Sequence, residues 1–180
     1  MKTIFLTALL LAALPASAQE SSDTAVVSKG MSAKFASVPG VPDCASLAVL
    51  KGDPGKGPSV VEMKFTPGCI VPWHWHTPSE SAVPLAGLLE ISMKDEKPVL
   101  LTNGDYGYLP SKHIHQAKCT GSKPCAAIFF LDAPFDIHYV DKSGAEIPAA
   151  QALAEAEKLM TKPGAKPPAK PRPIPIRQPL

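Results

Sequence analysis

The chain has 180 residues, 18 basic and 16 acidic side chains, a formal net charge of +2 and 45% hydrophobic residues. That length can bury a sizeable core. No aromatic-interleaved basic surface marks a nucleic-acid binder, and no apolar run is long enough for a transmembrane helix.

The first segment, residues 1–18, reads as a secretory signal peptide. Lys2 gives the positive start, residues 4–14 the apolar stretch, and Ala16-Ser17-Ala18 an A-x-A cleavage site. Cleavage after Ala18 predicts a periplasmic or secreted protein. Residues 19–40 are polar and contain Gly, Pro and Ser, the composition of an irregular arm with at most an edge strand.

From 41 to 147 the pattern changes to short apolar or alternating runs. They fall at 45–50, 59–65, 70–76, 81–85, 88–94, 98–101, 105–110, 113–118, 126–131 and 136–140, separated by turn signals such as GDPGKGP, TPG, TNG and TGSKP. Closely spaced short strands of this kind predict an all-β sandwich or barrel. Residues 148–160 then read as a short C-terminal helix. Pro148 takes the first helical position, and Leu153, Ala156, Leu159 and Met160 form an apolar stripe. Residues 161–180 contain seven prolines, five Lys or Arg and no acid, a composition that predicts a disordered tail. Residues 19–160 hold 12 basic and all 16 acidic side chains, so an acidic domain carries a basic tail, read here as a solvated spacer.

Four cysteines in an exported chain allow three pairings. Cys119 and Cys125 flank a turn and are the favoured pair, with Cys44–Cys69 as the second. The alternative leaves one or more cysteines free or near a metal.

Four of the five histidines occur as two H-x-H pairs, His74/His76 and His113/His115. Side chains alternate faces in a strand, so His74 and His76 share a face and Trp73 and Trp75 take the other, packing in an outer layer or at an interface. Glu80 follows a T-P-S turn that can return the chain beside the first strand. Three imidazoles and a carboxylate suffice for one divalent transition metal, and iron, manganese, nickel, copper and zinc all accept such a set. His138 has Asp136 on its face, and a structural contact between them is the simpler reading. Tyr106 and Tyr108 either line a pocket mouth or pack in the core, core packing being expected for at least one. Gly68, Gly87 and Gly104 suit turns with positive φ.

The spacing resembles the cupin family. Its first motif is matched by Gly68, His74, His76, Glu80 and Gly87, and its second by Gly104, Pro110 and His115. Lys112 and Cys119 stand where a Gly and an Asn are usual. The stretches LKGDP (50–54), PG (67–68), PWHWH (72–76) and FDIHYVD (135–141) look like those of small single-domain bacterial cupins. The resemblance implies a double-stranded β-helix, or jelly-roll barrel, holding one metal through His74, His76, Glu80 and His115. His113 is extra: a fifth ligand, an acid/base group, a substrate contact, or a rim residue bonded to backbone. The resemblance also implies a homodimer. It leaves two functions open. One is a metal-dependent enzyme acting on a small oxygen-bearing molecule, with dioxygenase-type chemistry favoured over isomerase or hydrolase chemistry; Glu80 would then shift during turnover and His113 would carry a proton. The other is a non-catalytic exported cupin that binds or senses a metal or small ligand.

Overall fold

The computed structural model describes residues 25–27, 29 and 33–161. The signal-peptide expectation and nearly all of the tail lie outside them. The runs rich in Val, Ile, Leu and Phe form β1 (Ala45–Gly52), β2 (Ser59–Phe65), β3 (Ile70–Trp75), β4 (Glu80–Ala86) and β5 (Leu88–Met93). They continue as β6 (Val99–Leu101), β7 (Gly107–Leu109), β8 (His115–Thr120), β9 (Cys125–Leu131) and β10 (His138–Tyr139), before one helix, α1 (Ala149–Met160).

The strands form two antiparallel five-stranded sheets, ordered β1-β2-β9-β4-β7 and β10-β3-β8-β5-β6. Their inner faces bury Val61, Phe65, Ala82, Leu109 and Phe129 against Val71, Leu89 and Ile91. Phe65 and Phe129 meet edge to face, with centroids 6.4 Å apart. This is a double-stranded β-helix, the fold the strand pattern and motifs predicted.

Three local expectations are corrected. The T-P-S turn does not return the chain beside β3. The Ser79 N–H donates to the Asp132 carboxylate at 2.9 Å, and β4 crosses to the opposite sheet, where it pairs with β7 and β9. Glu80 therefore faces β3 across the barrel. In α1, Pro148 is the N-cap rather than the first helical residue. The buried face is Ala152 and Ala156, while Leu159 is 52% exposed; the helix lies against β3, where small side chains allow a close approach. Tyr106 and Tyr108 are 64% and 57% exposed, so neither packs in the core.

Both favoured disulfides form, Cys44–Cys69 and Cys119–Cys125, and no described cysteine is free. They are the chemistry of an oxidising compartment. The second accounts for Cys119 in place of the usual Asn: the side chain is fully buried in the bridge, and its backbone N–H donates to the Cys69 carbonyl at 2.9 Å.

Candidate metal centre

The centre is built on a bulge. In β3, Val71 pairs with Ala117 of β8, but the next pair is His74 with His115, so β3 carries one extra residue. Bulges accommodate proline, which cannot donate to a ladder, and they re-aim the side chains that follow. Here Pro72 and Trp73 both face outward, against the groove beside α1, while Val71 and His74 face in. His74 thus comes to lie directly across from His115.

His74, His76 and His115 are each buried, and their ligand atoms lie within 4.8 Å of one another. Each ring is fixed from behind by a main-chain carbonyl. The Nδ1–H of His74 donates to the Pro72 carbonyl at 2.5 Å, that of His76 to the Asp136 carbonyl at 2.5 Å, and that of His115 to the His113 carbonyl at 2.9 Å. A proton on Nδ1 leaves Nε2 with a lone pair. From the opposite sheet the Glu80 carboxylate approaches the Nε2 atoms of His76 and His115 at 3.6 and 4.0 Å.

Electrostatics push the same way. Burial, then the neighbouring imidazoles, hold His74 well below the usual histidine range, even though its bond to Pro72 pulls upward. Burial lowers His115 to about 3, opposed by its bond to the His113 carbonyl. Burial raises Glu80, with His76 pulling it down. His74 and His115 are therefore neutral, as metal ligation requires. Buried neutral rings with outward-anchored Nδ1 and converging Nε2 atoms fit a divalent transition metal. The remaining wall is apolar, from Met63, Phe65, Val71, Ile91, Phe129 and Phe135, around a cavity of about 40 Å³.

His113 stands outside this group. Lys112 has φ +61°, a left-handed residue, and β8 begins only at His115, so strand alternation does not apply to His113. The positive φ also explains why a glycine suits that position. The His113 ring Nε2 is buried and has no hydrogen-bond partner among the described residues. Its main-chain carbonyl, not its ring, reaches the centre. On the outer surface His138 stacks on Trp75, with rings 3.8 Å apart and nearly parallel, and its Nε2 lies 3.4 Å from the Asp136 carboxylate. The Asp136 carbonyl behind His76 was missed from sequence, because a main-chain contact leaves no residue-type signal.

Gly87 closes the first motif at φ +77°, where a Cβ would sit 2.6 Å from the Pro124 carbonyl oxygen. Both the backbone conformation and the close approach exclude a side chain there.

Comparison with known proteins gives the same frame. No curated protein sequence matches the chain. Among solved structures, the polyketide cyclase RemF from Streptomyces resistomycificus is similar at 15% identity, covering 66% of this chain and 87% of its own, with TM-score 0.57. KdgF from Halomonas sp. is similar at 18% identity, covering 62% of this chain and 94% of its own, with TM-score 0.51. At such identities the likeness is one of fold. Residues 61–131 match the family described as Cupin domain, the stretch that holds both histidine pairs and Glu80. With the two-sheet barrel and its buried histidines, that match identifies residues 61–131 as a cupin domain.

Proposed function

We propose that the protein holds one divalent transition metal through His74, His76, His115 and Glu80, and that it acts on a small oxygen-bearing molecule. One observation carries this reading. Every clustered imidazole is anchored through Nδ1 to a main-chain carbonyl, leaving three Nε2 atoms converging beside a carboxylate. Structural histidines have no need for that common orientation. A metal bound there would supply Lewis-acid or redox chemistry, and oxygenase-type chemistry is the favoured form.

The chain's own residues prepare the site. Apolar side chains exclude water and keep His74 and His115 neutral, and Glu80 supplies the carboxylate. Burial raises its affinity for a proton, and His76 opposes that shift. His113 enters chiefly through the carbonyl that fixes His115. Proton carriage by its ring would serve a group outside the cavity wall, which His113 does not line. The two disulfides support an exported, periplasmic or secreted setting.

A second reading is favoured by the cavity itself. About 40 Å³ has room for roughly three water-sized groups, which suits a cupin that binds metal without turnover. Oxygen uptake by metal-loaded protein against a panel of phenols and diketones separates the two. Uptake that His76→Ala abolishes supports the enzyme; a silent panel with full metal occupancy supports the binding protein.

A further inference from the structure

A second cavity lies on the other side of Glu80. Strand β7 ends one sheet and β6 ends the other, so the barrel has a seam where two edge strands meet without a ladder. At its floor they touch: a Cβ on Gly107 would lie 3.3 Å from Leu101 Cδ1. Behind that contact is a space of about 150 Å³. Its inner wall is Ala82, Met93, Leu101 and Leu109, with Glu80 its one carboxylate. Glu80 and Ile91 also line the metal cavity, so those two side chains are the partition between the spaces. The rim is open to solvent: Val99 is 44%, Tyr106 64% and Tyr108 57% exposed. The Tyr106 hydroxyl is held by Ser81 Oγ at 2.8 Å.

We propose that this seam cavity is a substrate subsite for a single benzene-sized apolar group, whose oxygen substituent reaches the metal past Glu80; the second half rests on the metal reading above. Size decides the class. A cavity of about 150 Å³ with apolar walls is large enough for benzene, whereas the metal cavity of about 40 Å³ cannot admit a ring. Position decides the orientation. The ring fills the apolar seam, its oxygen points at the partition, and the tyrosines flank its path of entry. The ligand class is a monocyclic molecule with one oxygen donor, of which phenol is the simplest.

The test uses benzene and phenol as probes on zinc-free and zinc-loaded protein, read by methyl NMR at Ile91, Met93 and Leu101. Benzene, which has no metal donor, is expected to shift these methyls saturably and equally with or without zinc. Ala82→Leu, which fills the cavity, and Val99→Trp, which blocks its exposed rim, should each abolish the shift; the second decides if the first does not fold. Phenol should bind at least tenfold tighter with zinc present. Absence of saturable benzene shifts in the wild type overturns the subsite even if zinc binds. Benzene binding with no zinc advantage for phenol overturns the path to the metal. Histidine ring signals unmoved by zinc refute the metal reading instead, and benzene still decides the subsite.

Discussion

At the residue scale, the centre works by keeping basic groups from being protonated. His115 is held at about 3 against an ordinary 6.5, chiefly by burial. His74 is displaced in the same direction. The unfolded chain takes up these protons near pH 6.5, while the folded chain refuses them until far lower. Between those limits the unfolded state binds more protons, so metal-free protein loses stability as pH falls from 6.5 toward 3. The slope reaches about 1.4 kcal/mol per pH unit for each such histidine. Urea unfolding of chelator-treated protein at a series of pH values measures it, and His115→Gln should flatten it. A wild-type profile as flat as the variant's would mean the imidazoles are not buried neutral.

At the element scale, β3 and α1 belong together, since the helix covers the outer side of the strand that carries His74 and leads into His76. Ala152 and Ala156 are each 2% exposed at that contact. Ala152→Leu overpacks it and should cost about 1–3 kcal/mol in urea unfolding, whereas Leu159→Ala, at an exposed position, should cost much less. Equal costs would show that the helix does not rest on its alanines. This contact also marks where sequence reading ends. The strands were legible because apolar alternation and Gly/Pro turns are local signals, and β2, predicted over 59–65, has those bounds. The helix face was not, because a hydrophobic stripe favours leucine while a tight helix–sheet contact favours alanine. The partner of β4 was not legible either. The turn that leads into the crossing is bonded to Asp132, far along the chain, which local sequence cannot show. The histidine cluster could be read because H-x-H on one strand face needs only spacing; the bulge that sets His74 opposite His115, and the carbonyls that fix the rings, could not.

At the scale of the whole molecule, two disulfides tie the barrel. Cys44–Cys69 closes a loop with a separation of 25 and Cys119–Cys125 one of 6. By loop-closure entropy the first contributes about 3.5 kcal/mol and the second about 2. Replacing Cys44 and Cys69 together by Ala should therefore lower the denaturation midpoint more than replacing Cys119 and Cys125. The reverse order would place the main constraint in the connection by which β8 crosses to β9 in the other sheet.

The proposed metal centre would join both sheets, with imidazoles from one and Glu80 from the other, so a bound ion would stabilise the whole barrel by mass action. The most direct measurement is metal content per chain in protein purified from its native compartment, for the wild type and for His76→Ala. The account predicts one divalent transition metal per chain in the wild type and loss of most of it in the variant. Full occupancy in His76→Ala, or a wild type that binds no such metal even when offered it in excess, would contradict it.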